Sequence, residues 1–146
     1  MPVVDESITI NKPRSEVFAF FLDPENVRMC SSNLSDYELV FGDGRSKGSV
    51  FRGAVKIAGK TMPFTAEVTE YEDGSRVVQR STDAKIPYTL EIRYEDAAGD
   101  ATSVSWHQET ESLGGFFGKL ADAVVVKMYE RDVRSNLEKA KTLLEA

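Results

Sequence analysis

Apolar and polar positions first alternate loosely, then follow a helical period, then settle into a period of two before a long helical close. Residues 3–10 read as a strand ending in Ile8 and Ile10. Pro13 stands where a first helical turn tolerates a missing N–H, and Val17, Phe18 and Phe21 give that short helix an apolar side. Asp23-Pro24-Glu25 then supplies a capping oxygen, a first-turn proline and an acid, so a second brief helix ends near Cys30 to Ser32. From Leu34 onward Tyr37, Leu39 and Phe41 alternate with Glu38 and Val40. Further strands are predicted at about 48–58, 61–71, 76–83, 86–94 and 102–111, separated by glycine- and aspartate-bearing turns. Residues 115–144 hold no proline and read as one long final helix. The order predicts one α+β domain over residues 1–146 with an antiparallel meander.

The turns predict a register. A two-residue turn at Gly59-Lys60 pairs Ile57 with Met62, Val55 with Phe64, Gly53 with Ala66 and Phe51 with Val68. Turns at Asp73-Gly74 and Ala84-Lys85 carry the same face through Val77, Gln79, Ser81 and Asp83 to Tyr88, Leu90 and Ile92, beside Val104, Trp106 and Gln108. Slipping a strand by one residue would invert it, so the apolar pattern supports these faces.

Two rows on the inner face are unusual for a packed core. One runs Gly53, Ala66, Ser81, Tyr88, Gln108; its neighbour runs Phe51, Val68, Gln79, Leu90, Trp106. Unpaired buried polar atoms cost ~1–3 kcal/mol each. Small side chains with convergent polar groups therefore predict a ligand cavity in place of a filled core. The final helix adds a second signal. Phe117, Leu120, Ala121, Val124 and Met128 cluster on one side of an ideal helix, while Val126, Tyr129, Val133, Leu137, Ala140 and Leu144 cluster nearly opposite. The helix must break near Val125 or bury two faces, and its first stripe is expected at the cavity entrance or on a partner surface.

Charge and composition narrow the chemistry. With 18 basic and 24 acidic side chains the net charge is −6, which argues against nucleic acid as a partner. One cysteine, Cys30, and one histidine, His107, exclude an internal disulfide and multi-histidine or cysteine-cluster metal sites, and no cofactor motif is present. Gly42-Asp43-Gly44 lacks the setting of a dinucleotide fingerprint, and Gly118-Lys119-Leu120 lacks the hydroxyl of a phosphate loop. The start carries acids where a secretory signal would be basic, and no run reaches the ~20 apolar residues of an integral membrane span. A cytoplasmic monomer or homodimer is expected.

Acid–base candidates are few. His107 alternates out of phase with Trp106 and Gln108, which places it on the outer face. The inner candidates are Asp83, Tyr88 and, near the open end, Glu70, and no nucleophile–base–orienter set forms.

The segments ITINKPRSEVFAFFLDPEN, FTAEVTEYEDGSRVV, YTLEIRYEDAAGDATSVSW and GFFGKLADAVVVKMYERDVRSNLEKAKTLLE resemble the polyketide cyclase/dehydrase-like branch of the START-like (SRPBCC) superfamily over nearly the whole chain. The resemblance implies a helix-grip fold: a curved seven-stranded antiparallel sheet around a long C-terminal helix, enclosing a hydrophobic pocket. It supplies no invariant catalytic set to carry over. The expected function is binding of a hydrophobic small molecule of lipid, polyketide or isoprenoid type, as carrier or sensor. Phe51, Phe64, Val68, Tyr88, Leu90, Trp106, Phe117, Leu120, Val124 and Met128 are the expected walls, with Gln79, Ser81 and Gln108 orienting the ligand. The alternatives are a cyclase/dehydratase using Asp83 or Tyr88 and a regulatory protein-interaction module.

Overall fold

The computed structural model describes residues 2–146. The elements are β1 (Val3–Ile10), α1 (Arg14–Leu22), α2 (Pro24–Cys30), β2 (Leu34–Phe41), β3 (Val50–Ile57), β4 (Lys60–Glu72), β5 (Arg76–Ala84), β6 (Tyr88–Ala97), β7 (Ala101–Thr110) and α3 (Asp122–Glu145). All seven strands form one antiparallel sheet in the order β1-β7-β6-β5-β4-β3-β2. The two short helices carry the chain from one edge strand, β1, to the other, β2. Asp23 caps α2 by accepting from the Glu25 amide at 2.9 Å, with Pro24 in the first turn. This is the expected helix-grip architecture, with α3 lying across the sheet. Val133, Leu137 and Ala140 are buried along it, and Val133 and Leu137 pack with Val4, Ile10, Val68 and Val104 of the sheet and Val17 and Phe18 of α1.

The inner faces agree with expectation, but two registers differ by two residues. Val55 pairs with Met62 and Phe51 with Ala66. The turn is Ala58-Gly59, not Gly59-Lys60, with φ of 49° and 84° at its two central residues. Positive φ at both centres is the type I′ conformation that matches strand twist. In the same way Leu90 faces Gln108 and Ile92 faces Trp106. A slip of two keeps every side chain on its face, so the apolar pattern cannot distinguish these registers.

Two bulges between β4 and β5 break the parity. Thr65 pairs with Asp83 while Ala66 pairs with Ser81, leaving Thr82 as the extra residue. Val68 pairs with Gln79 while Glu70 pairs with Val78, leaving Thr69 extra. The first bulge turns Asp83 outward and Ala84 toward Phe64; the second turns Glu70 outward, where it meets Arg76 at 2.9 Å. Both expected inner acids are exposed.

The final helix is also shorter than predicted. It begins at Asp122, and residues 114–120 form a strap of turns. Gly114, Gly115 and Gly118 sit at φ of 57°, 73° and 69°, conformations that a right-handed helix cannot contain. The apparent first stripe is therefore split: Phe117 and Leu120 precede the helix, while Val124 and Met128 lie on its solvent side. Leu120, Val124 and Met128 are exposed by 40%, 47% and 38%.

Candidate ligand cavity

Between the sheet and α3 lies a cavity of about 190 Å³. Its walls are largely apolar: Val55, Ile57, Met62, Phe64, Leu90 and Ile92 from the sheet face Val126, Val133 and Leu137 from α3. Strand parity supplies the first set, and the i, i+7, i+11 spacing on α3 supplies the second. Phe64 stands 6.2 Å from both Tyr37 and Tyr88, ring centre to ring centre, which makes an aromatic wall on one side.

Gln108 is the best-defined polar group. Its Oε1 accepts from Trp106 Nε1 at 3.2 Å and from the Tyr129 hydroxyl at 2.7 Å. An indole N–H only donates, so the Trp106 contact identifies which end of the amide is oxygen. The Nε2 end is thereby turned away from both, and it makes no hydrogen bond among the described residues. Asn33 and Asn136 form a second polar pair in the lining: Asn136 Nδ2 donates to Asn33 Oδ1 at 2.9 Å. Asn136 Oδ1 is buried without a partner, the one such side-chain atom among the described residues.

Among the described residues, no Asp, Glu or His belongs to the lining, and Lys85 is its one cation. The tyrosines are held in their neutral form. Burial pushes Tyr37 up to about 12, and it pushes Tyr88 and Tyr129 further up. Each is a hydrogen-bond donor at neutral pH. Burial also raises the Cys30 thiol, whose Sγ lies 3.5 Å from the Val27 carbonyl oxygen. No group of His, Cys, Asp and Glu residues suited to a metal ion occurs among the described residues. His107 lies on the outer face in contact with Asp5, which raises its pKa.

One end of the cavity is closed by the strap. Leu113 and Phe117 are buried against Met62 and Val125. Lys60 Nζ, at the start of β4, donates to the Phe116 carbonyl at 3.1 Å and lies 4.8 Å from the centre of its ring. The ammonium thus holds the strap by one hydrogen bond and one cation–π contact.

A family model described as polyketide cyclase/dehydrase and lipid transport matches residues 1–145. The chain belongs to that family. Comparison with curated proteins yields no match. Among solved structures, the protein TTHA0849 from Thermus thermophilus superposes with a TM-score of 0.85 at 20% identity, covering 99% of this chain and 97% of that one. The Zhui aromatase/cyclase from Streptomyces sp. R1128 gives 0.77 at 17% identity, covering 98% and 93%. A START superfamily protein from Mycobacterium smegmatis gives 0.77 at 12%, covering 98% and 97%. These likenesses establish the START-like fold. No helix among the described residues is long and apolar enough to cross a membrane.

In this polyketide cyclase/dehydrase and lipid transport family member, the cavity brings together seven residues expected from sequence: Phe64, Gln79, Tyr88, Leu90, Trp106, Gln108 and Phe117. The others lie elsewhere. Phe51 and Val68 are buried in the main core, Phe51 stacked on Tyr37 at 5.3 Å. Ser81 Oγ is taken up by the Tyr88 backbone, at 2.9 Å from its N and 3.3 Å from its O. Leu120 is exposed on the strap that precedes the helix, Val124 and Met128 are exposed on the side of α3 away from its buried stripe, and Asp83 is exposed because of the bulge at Thr82. Sequence reasoning missed Tyr37, Tyr129 and Asn136. Tyr37 and Tyr129 sat on stripes already recognised as inward. Asn136, three residues beyond Val133, was a polar break beside the same stripe.

Proposed function

We propose that this chain binds a hydrophobic or amphipathic small molecule in the cavity, as a carrier or sensor. The observation that carries the reading is an apolar chamber in which the Gln108 amide is held in one orientation with a donor left free. Apolar walls supply affinity and a few placed polar groups supply orientation. The buried free thiol of Cys30 is consistent with a cytoplasmic setting.

A cyclase/dehydratase is the competing reading, and one observation favours it: the Tyr88 hydroxyl lies in the lining and makes no hydrogen bond among the described residues. Such a hydroxyl can donate to a substrate carbonyl. A proton acceptor is harder to find, because the described lining holds no carboxylate or imidazole.

Native mass spectrometry of the freshly purified protein, set against its denatured mass, tests the reading. An added mass of a few hundred daltons that disappears on denaturation is expected. If the native mass is bare, titration with apolar ligands followed through Trp106, the single tryptophan and part of the lining, decides the matter. No change in its emission with any of them would overturn the binding reading. Turnover of a bound polyketide-like ligand that is lost in Tyr88→Phe would favour the enzyme.

A further inference from the structure

We propose that the cavity takes an amphipath with a carboxylate-type anionic head, its apolar tail inside and its head at the rim beside Lys85. This rests on the ligand-binding reading and deepens it by naming the charge of the head group.

The chain as a whole carries a net charge of −6. Its cavity runs against that balance. Among the described residues the lining holds no Asp or Glu and a single cation, Lys85. The remaining polar groups there are neutral amides, hydroxyls, a thiol and an indole. A cationic head would therefore meet a like charge and find no counter-charge, whereas an anionic head finds one.

Lys85 also stands in the right place. It lies in the turn between Ala84, the last residue of β5, and Tyr88, the first of β6. Beside it, Ile86 packs against the cluster of Met62, Leu113, Phe117 and Val125 where the strap closes the cavity. Lys85 itself is exposed, so it marks the rim. An ionised head buried among neutral groups would lose its hydration at high cost, while at the rim it keeps water and gains a charge-assisted hydrogen bond. The tail then runs inward along Val55, Ile57, Met62 and Phe64.

The ammonium is free to act. Among the described residues Lys85 makes no hydrogen bond and no ion pair. Asp83, two residues away, is turned outward by the bulge at Thr82. Glu111, whose N–H donates to the Pro87 carbonyl at 2.9 Å, does not pair with Lys85 either. Lys60, at the same end of the sheet, differs because Phe116 already engages its ammonium.

Net charge and local charge make opposite demands. The acidic chain favours a cationic guest, but in ~0.15 M salt that attraction is screened beyond ~8 Å, and a contact pair at Lys85 lies well inside that length.

Calorimetric titration of the full chain with decanoate, decan-1-ol and decylammonium, at neutral pH and ~0.15 M salt, tests this. Decanoate is expected to bind about three- to fivefold tighter than decan-1-ol, the worth of a partly exposed ion pair, and decylammonium most weakly. In Lys85→Met, which keeps the apolar stem, decanoate should lose its advantage while decan-1-ol is unchanged. In Lys85→Glu, decylammonium should overtake decanoate. Lys127→Met removes an exposed lysine of α3 outside the lining and should leave the wild-type order intact. Should Lys85→Met fail to fold, Lys85→Gln takes its place with the same expectation. Three results would each overturn the proposal and leave the ligand-binding reading standing: decanoate no tighter than decan-1-ol, a preference that survives Lys85→Met, or an equal loss in Lys127→Met. Absence of binding by all three probes would overturn both.

Discussion

The two ends of the sheet are closed by the same kind of side chain on very different backbones. Where β4 turns into β5 and β6 into β7, the plug is α1. Phe18 lies 5.0 Å from Tyr94 and 5.9 Å from Tyr71, both edge-on, and is only 3% exposed. Its helix is bolted to the adjacent turns: Arg14 donates to the Gly74 carbonyl at 2.9 Å and to Asp96 at 3.0 Å, and Thr102 Oγ1 donates to the Lys12 carbonyl at 2.8 Å. At the opposite end, where β3 turns into β4 and β5 into β6, the plug is Phe117 on the glycine strap. It is 7% exposed, so it is buried almost as well, but Lys60 is the one side chain among the described residues that hydrogen-bonds the backbone of 113–120. Burial alone does not make a rigid wall. A phenylalanine on a bolted helix is held by several independent contacts of its backbone, whereas one on a strap of turns is held by its own packing and a single latch. Segments with few backbone hydrogen bonds to their surroundings open locally at lower free-energy cost than bolted helices.

Truncating each plug measures the contrast. Phe18→Ala should cost about 3–5 kcal/mol in denaturant unfolding, since α1 cannot collapse into the space left behind. Phe117→Ala should cost less, about 1–2 kcal/mol, because the strap can settle inward, and it should speed ligand exchange measured by stopped flow. Equal costs at the two positions would abolish the contrast. Next comes Tyr129→Phe, expected to lose about 0.5–1.5 kcal/mol along with one of the two bonds that hold Gln108. Lys60→Met keeps the side-chain stem but removes the latch. Stability should change by about 0.5 kcal/mol or less, while hydrogen exchange at the Phe116 and Gly118 amides accelerates. Unchanged exchange there would mean that the buried aromatics hold the strap without Lys60.

The smallest effect belongs to His107. Its hydrogen bond to Asp5 raises its folded-state pKa above the ordinary 6.5. The stabilisation is therefore complete below about 6.5 and is lost as pH rises through the raised value. Both partners are well exposed, so screening leaves roughly a few tenths of a kcal/mol. Unfolding free energies of the wild type and His107→Gln should converge above that range and separate below it. Divergence in the alkaline direction would reverse the assignment.

Much of this arrangement was legible in the sequence, and the failures have identifiable causes. Strand faces were readable because burial alternates with the pleat, which is why Phe64, Leu90, Trp106 and Gln108 were correctly placed inside. The β3–β4 and β6–β7 pairings were missed by two residues because either choice buries the same side chains. Asp83 and Glu70 were misplaced by bulges at Thr82 and Thr69, and a bulge leaves no trace in an apolar–polar pattern. Leu120 was read onto a helix that three left-handed glycines delay, and Val124 and Met128 are helical but lie on the solvent side of α3.

By itself, then, the sequence determined the order of elements, the inward face of each strand, the buried stripe of α3 and the scarcity of acid–base groups on the inner face. All of these are written in local periods of about two and 3.6 residues. Only the tertiary structure decided which polar groups meet. Gln108 finds Tyr129 across 21 residues, and Asn33 finds Asn136 across 103. Such pairs depend on how far α3 is set from the sheet and at which turn it starts. Those distances come from the packing of Phe18, Val104, Val133 and Leu137, and no local period encodes them.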